Sequence, residues 1–329
     1  MKAVVTGANG FIGSHLVEYL LQAKFEVSCL QRGTSNPAFL QGLPIKTEVI
    51  DYQQPETLAK SPALLEADYI FHAAGVTKRV TKAQFIEGNV EPAQNLLEVL
   101  SAREDKPKRF VFISSQAALG PSDSLQHLRR EDERPTPIEL YGESKFIAEQ
   151  VVRDYGDRIP YTIIRPSSVF GPRDVDFLNL FKQIMHGFNI YAGNRYKFVS
   201  IIYVADLVRG ILDAAFSDNA RNQLYHLCDD QPVNWETIQS TIAEVAGKKV
   251  LTASIPEFFL RIAGQFGDGY SRLTGKFSLM NSQKIQLSMP KYWLVSNQKS
   301  KDDFGFRCET PLREGLQKTL TWYQQNKWM

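Results

Sequence analysis

Residues 2–13 read KAVVTGANGFIG, and this stretch decides how the rest of the chain is read. Ala3, Val4 and Val5 make a short apolar run suited to a buried strand. Gly7, Gly10 and Gly13 follow at the spacing G-x-x-G-x-x-G, with Ala8 and Asn9 inside the turn. So tight a turn needs residues that tolerate positive φ, and a backbone without side chains can be approached closely by an anion. From there apolar residues recur at Phe11, Ile12, Leu16, Tyr19 and Leu20, which is helical spacing. The first N–H groups of a helix have no partner within it and favour negative charge. Strand, glycine turn and helix in this order predict a pyrophosphate site. Gly7, Asn9, Gly10, Phe11 and Ile12 would serve it, and Gly13 would let the helix pack close to the sheet.

The same alternation continues downstream. Strands are predicted over 25–30, 47–50, 69–72, 109–114 and 161–164, with helical stretches over 58–65, 84–100 and 141–155 between them. Apolar strands separated by helices predict an α/β fold, a Rossmann-type doubly wound parallel sheet. After Pro172 the pattern loosens into a strand over 199–204 and helices over 177–185, 205–216, 235–246, 257–266 and 310–325. We expect a dinucleotide-binding domain of residues 1–171 and 199–230. Residues 172–198 and 231–329 would form a smaller, mostly helical substrate domain.

Composition narrows the partners. The 329 residues are 43% hydrophobic, enough for a sizeable core, and 38 basic against 36 acidic residues leave a net charge of +2. Such a balance provides no overall field for nucleic acid or an anionic membrane, although a local basic pocket for phosphate is still possible. Cys29, Cys228 and Cys308 are too few and too scattered for a disulfide framework or zinc site, so reduced thiols and no metal are expected. No charged leader with a long apolar region precedes Gly7, and no apolar run is long enough to span a bilayer. The expectation is a cytoplasmic protein without membrane insertion, acting on a small molecule.

Tyr141-Gly-Glu-Ser-Lys145 places a phenol and an ammonium at i and i+4, on one helix face. A nearby ammonium stabilises phenolate and would lower the tyrosine's pKa toward working pH, and it could also hydrogen-bond a nicotinamide ribose. Ser114-Ser115 ends the strand before this helix, at the edge of the sheet where α/β sites form, so Ser115 could hold a substrate oxygen against Tyr141. The end of the second strand, Leu30-Gln31-Arg32, lacks the acid that binds the ribose diol of NAD. Arg32 suits a 2′-phosphate instead, which favours NADP over NAD.

These motifs together resemble the extended short-chain dehydrogenase/reductase superfamily, in its NAD-dependent epimerase/dehydratase group. The resemblance rests on TGANGFIG, Asp51-Tyr52, His72-Ala73-Ala74-Gly75, Asn89 in NVEPAQNLL, ISSQAALG, PIELYGESK, RPSSVFGPRD and IIYVADLVRG. It implies that Asp51, with Tyr52 beside it, meets the adenine and that Ala73, Ala74 and Gly75 line the dinucleotide. Tyr141 and Lys145 would reach its ribose, and Pro166 and the Ser168 backbone its nicotinamide end. It also implies a homodimer built on two helices per subunit.

The departures from the family pattern are informative. Dehydratases of the family carry an Asp-Glu pair after the serine; here Gln116 and Ala117 stand there, so elimination lacks its acid and base. Val199 occupies the position of a diphosphate-binding arginine and Tyr203 that of a histidine, leaving Arg195 and Lys197 as the cations that could substitute. LFKQIMHG and LVRG resemble the 3β-hydroxysteroid dehydrogenase and dihydroflavonol reductase-like branch.

The reading is an NAD(P)-dependent oxidoreductase on a secondary alcohol or ketone, using Ser115, Tyr141 and Lys145. The alternatives are a nucleotide-sugar epimerase that retains its nicotinamide, or a cofactor-bound protein without turnover. Thr77, with Lys78 beside it, Ser115 and Gln116 are candidates for substrate contact. Residues 258–266 could form an apolar lid or a membrane-touching helix, but are expected to pack on their own domain, and His72, Trp322 and Tyr323 are expected to be packed. Residues 131–134 read as a solvated charged loop.

Overall fold

A computed structural model of the chain describes residues 1–274, 278 and 281–329. Its main sheet has seven parallel strands: β1 (Lys2–Thr6), β2 (Glu26–Gln31), β3 (Lys46–Val49), β4 (Tyr69–His72), β5 (Arg109–Ile113), β6 (Tyr161–Pro166) and β7 (Gln223–Leu227). Their order across the sheet is β7-β6-β5-β4-β1-β2-β3. Successive side chains of a strand point to opposite faces, and this sets the layers. Val4, Phe110 and Phe112 pack with Leu96, Leu97, Ala148 and Val152 of the helices Glu91–Ala102 and Leu140–Asp154. Val5, Val111 and Ile113 pack with Leu16, Leu20, Leu207 and Ile211 of the helices Phe11–Gln22 and Val204–Phe216. Strand order reverses between β1 and β4, so a crevice opens at their C-terminal ends, where α/β sheets bind ligands.

Several boundaries differ from expectation, each for a local reason. The helix expected over 84–100 is two, Lys82–Asn89 and Glu91–Ala102, because Pro92 supplies no N–H to continue the first. A capping box of Thr81 and Gln84 starts the first of them. The stretch 58–65 is likewise two short helices, Pro55–Leu58 and Pro62–Glu66, each opened by proline. The strand expected over 199–204 splits in two. Phe198–Val199 pairs with Val233–Asn234 and Tyr292–Trp293, and Ile201–Tyr203 pairs with Ser168–Phe170. Strand β7 and the parallel ribbon of Phe188–Ala192 with Leu251–Ile255 were not anticipated. The helix expected to end at 266 continues to Thr274.

Candidate functional site

The glycine turn after β1 is built as its spacing requires. Gly7 has φ +66°, in the left-handed region, and its carbonyl accepts from the Gly10 N–H at 2.9 Å. A Cβ on Gly7 would lie 2.6 Å from the Ala74 nitrogen, and one on Gly13 only 2.1 Å from the Gly7 oxygen. Gly13 therefore lets the helix start sit directly on the turn. A Cβ on Gly10 would meet nothing nearer than the Gly7 oxygen at 3.2 Å, and the residue is exposed.

Gly10 faces a cavity of about 500 Å3 between the ends of β1, β2 and β4. Gly7, Asn9, Gly10, Arg32, Asp51, Tyr52, Ala73, Ala74 and Gly75 all line it. Phe11 and Ile12 stand in the first helical turn and pack against the core. Tyr52 is buried and donates to the Leu30 carbonyl at 3.0 Å, fixing the end of β2. Asp51 turns its carboxylate onto the Gln53 N–H and the Gln54 amide, both at 3.0 Å.

Sequence reasoning missed Arg79, Gln84 and Glu87 in the cavity wall and Gln31 as a pocket residue in its own right. Arg79 follows Thr77 and Lys78, which were singled out; Lys78 instead pairs with Asp176 at 3.5 Å, and Thr77 is exposed and outside the cavity wall. The signal that could have found Arg79 is a cation on the loop leaving β4. Gln31 is 7% exposed, and its Nε2 has no hydrogen-bond partner among the described residues. A buried donor without a partner is costly unless a ligand takes it. This orphan donor, the bare backbone at Gly10 and the exposed Arg32 fit a dinucleotide whose pyrophosphate lies on the turn and whose ribose lies beside Gln31.

The second half of the site lies on the helix Leu140–Asp154. Its start is fixed by Glu139, whose carboxylate accepts from the Tyr141 N–H at 2.6 Å and also from that of Gly142. Ser115, just beyond β5, accepts from the Ala117 N–H at 3.1 Å and lies near enough to the Tyr141 hydroxyl to favour its ionised form. Lys145 is 4% exposed, donates to the Ile113 carbonyl at 2.8 Å and lies 4.7 Å from the centre of the Phe112 ring. A Cβ on Gly75 would lie 3.4 Å from the Lys145 Nζ, so Gly75 borders both the cavity and the lysine.

The electrostatics correct the expectation for Tyr141. Burial raises its pKa to about 12, opposed by the nearby Ser115 hydroxyl, and Lys145 does not bring it down. Burial also pushes the Lys145 ammonium down to about 8, with Glu149 opposing.

Asn89 is fully buried and joins the two halves. Its side chain bonds the backbone of Val76 at both N–H and carbonyl and donates to the Ser144 hydroxyl at 2.9 Å. Pro166 ends β6 in register with Leu227, and Ser168 begins the next strand; neither borders the cavity. Gln116 is half-buried with an unpartnered Oε1 among the described residues. Lys197 does not stand free in the way a diphosphate ligand must: it is buried on the Ala192 and Ser288 carbonyls and the Glu257 carboxylate. Arg195 pairs with Glu236 at 3.2 Å.

Two further expectations resolve differently. His72 is packed as expected, its Nδ1 2.7 Å from the Thr6 hydroxyl. The loop 131–134 is not simply solvated: Glu131 accepts from the His226 N–H at 2.9 Å, and Glu133 pairs with buried Arg129 at 3.1 Å. Among the described residues no cluster of His, Cys, Asp or Glu is placed to hold a metal ion, and no helix is long and apolar enough to cross a membrane.

A switch-point cavity over a glycine turn, beside a tyrosine and a lysine one helical turn apart, defines an enzyme of the extended short-chain dehydrogenase/reductase type. The sequence model of the NAD dependent epimerase/dehydratase family matches residues 3–228, and the chain belongs to that family. Its relatives include an epimerase, a reductase and a dehydrogenase. It is 26% identical to the N-acetyl-alpha-D-glucosaminyl-diphospho-ditrans,octacis-undecaprenol 4-epimerase of Escherichia coli O157:H7, over 97% of this chain and 94% of that one. It is also 26% identical to the ceramide reductase of Caulobacter vibrioides, over 99% and 95%. A 3-beta-hydroxysteroid dehydrogenase of Mycolicibacterium neoaurum is 25% identical over 98% and 91%. In fold the chain matches the UDP-glucuronic acid 4-epimerase of Bacillus cereus, solved with UDP-glucuronic acid and NAD. The TM-score is 0.81 at 21% identity, over 99% of this chain and 100% of that one.

Proposed function

We propose that the chain interconverts a secondary alcohol and a ketone on a large apolar molecule, with NADP(H) exchanged at each turnover. The observation that carries this reading is Lys145, buried one helical turn beyond Tyr141 and beside Gly75 of the cavity wall, with Ser115 near the Tyr141 hydroxyl. When bound, the dinucleotide supplies hydride exchange. Ser115 holds the substrate oxygen, Tyr141 gives or takes the proton at that oxygen, and Lys145 orients the ribose side of the site. Gln116 and Ala117, where carboxyls would be needed to eliminate water, restrict the chemistry to redox. The ceramide reductase and hydroxysteroid dehydrogenase relatives, whose names specify bulky apolar alcohols or ketones, support the substrate class. Residues 172–198 and 231–329 form the substrate domain in this reading, and two copies associate through the helices flanking the site.

The epimerase of undecaprenol-linked sugar supports a second reading, 4-epimerisation with a retained nicotinamide. One experiment separates them. The purified protein is mixed with NADPH and, in turn, a long-chain ketone, a 3-ketosteroid and a UDP-sugar. Loss of nicotinamide absorbance with an apolar ketone supports the first reading. Epimerised sugar with no net change in absorbance overturns it.

A further inference from the structure

The helix Glu257–Thr274 is amphipathic in an inverted sense. The residues it turns inward are Leu260, Gly264, Gly267 and Ser271, a mostly small stripe. A Cβ on Gly264 would lie 2.5 Å from the Ile285 side chain, so the helix sits close against the neighbouring helix Ser282–Ser288. The large apolar side chains point the other way. Phe258, Phe259, Phe266, Tyr270 and Leu273 are 67, 60, 76, 51 and 89% exposed. At roughly 100° per residue, these five and Ile262 fall within an arc of about 120°. The expectation that residues 258–266 pack on their own domain therefore holds only for the small stripe.

The ribbon just before the helix in sequence carries a second exposed apolar face. Leu251 is in register with Phe188, Ala253 with Ile190 and Ile255 with Ala192, so these six share one apolar face. Phe188, Ile190, Leu251 and Ile255 are 48, 38, 73 and 39% exposed. So many large apolar side chains exposed on two neighbouring elements are rare on a soluble protein unless something covers them.

The charges at their margin indicate what covers them. Lys248 and Lys249 precede Leu251, and Arg261 flanks the phenylalanine arc; all three are exposed and none is ion-paired among the described residues. The nearby carboxylates are engaged: Glu257 holds Lys197 at 3.1 Å, and Asp268 accepts from the Ser282 N–H at 3.1 Å. Unpaired cations around exposed aromatic side chains match a surface that offers anions above an apolar layer.

We propose that this face docks the protein onto a bilayer containing anionic phospholipid, with the helix Glu257–Thr274 lying in the plane of the headgroups. The aromatic arc enters the acyl boundary while Lys248, Lys249 and Arg261 meet lipid phosphates. No helix among the described residues is long and apolar enough to span the membrane, and the overall charge of +2 is immaterial because the cations are local. The inference stands on the surface and is independent of the reaction proposed above.

Vesicle co-sedimentation tests it, using the full chain and vesicles of phosphatidylcholine and phosphatidylglycerol in equal parts, against phosphatidylcholine alone. The wild type should sediment with the mixed vesicles, less with the neutral ones, and less at high salt. Phe258→Ser, Phe259→Ser and Phe266→Ser together should weaken partitioning by at least about tenfold. Lys248→Glu, Lys249→Glu and Arg261→Glu should abolish the preference for the anionic vesicles. This second variant leaves the apolar face intact and keeps the test decisive if the first misfolds. A wild type that stays in the supernatant, or variants that bind as the wild type does, overturns the proposal. So does sedimentation velocity showing a dimer that the phenylalanine substitutions convert to monomer, since the face would then join two copies.

Discussion

Glu149 and Arg165 form a two-pronged ion pair sealed inside the protein. The guanidinium Nε and Nη2 donate to the two carboxylate oxygens at 2.8 and 2.6 Å, and neither side chain is more than 2% exposed. The same carboxylate accepts from Ser114, the neighbour of Ser115, and favours the ammonium of Lys145 one turn away. It thus ties the helix bearing Tyr141 and Lys145 to both β5 and β6. Removing one partner leaves a buried charge without compensation, which typically costs about 3–5 kcal/mol. Glu149→Ala should lose that order of stability in urea unfolding, and Glu149→Leu with Arg165→Met should recover much of it. A Glu149→Ala protein as stable as wild type would show that water reaches the guanidinium.

Tyr141→Phe deletes the hydroxyl and keeps the ring. General acid–base catalysis is worth about 10²–10⁴-fold, so kcat should fall by that order while the melting temperature and dinucleotide affinity stay near wild type. A variant with unchanged kcat on an identified substrate would remove Tyr141 from the mechanism.

Lys145 carries a pH signature in stability. Its ammonium titrates near 8 in the folded protein and near 10.5 in an unfolded chain. Between these values the unfolded state holds more protons, so stability rises with pH, by up to about 3 kcal/mol in all. Below pH 8 both states are charged and the contribution is flat and unfavourable. Tyr141 opposes only higher up: its ordinary value is 10.0 and its folded value about 12, so its contribution is lost as pH rises between them. Unfolding free energies of wild type and Lys145→Met, compared from pH 7 to 10, should therefore converge or cross in favour of wild type. Parallel curves would mean that the lysine is hydrated.

Cofactor choice turns on two adjacent residues. Gln31 does not repel a 2′-phosphate as an acid would, and Arg32 is exposed on the rim of the cavity. A charge-assisted contact is worth roughly 1.5–3 kcal/mol, which corresponds to about ten- to a hundredfold tighter binding of NADP than of NAD. Salt should weaken the preference, and Gln31→Asp with Arg32→Ala should reverse it. Titration of both dinucleotides at low salt gives the answer. Tighter binding of NAD would place the Arg32 guanidinium away from the ribose.

The parallel sheet and the glycine turn were legible because both depend on short-range rules. Apolar strands alternating with helices stack in parallel, and Gly7 and Gly13 each meet a steric limit set by residues within the turn or just across it. The breaks at Val90 and between Phe198 and Ile201 were less legible, because a continuous apolar pattern hides a proline or a change of pairing partner. Arg79, Gln31 and the Glu149–Arg165 pair were missed for another reason. Their roles come from elements far apart in the chain, and a single sequence carries no sign that Glu149 will find Arg165 across a helix and a strand. The outward-facing phenylalanines show the opposite failure. Periodicity located an amphipathic helix but could not tell which face would turn inward, since glycines and serines allow closer packing than phenylalanines.

The Asn89 amide has a mechanical consequence. One end grips the loop that leaves β4 into the nucleotide crevice, and the other holds the residue beside Lys145. Loop and helix are thereby braced by a single crossbeam. A ligand that shifts the loop must either carry the lysine's helix with it or snap that brace, so filling the crevice and moving Tyr141 and Lys145 become one motion rather than two.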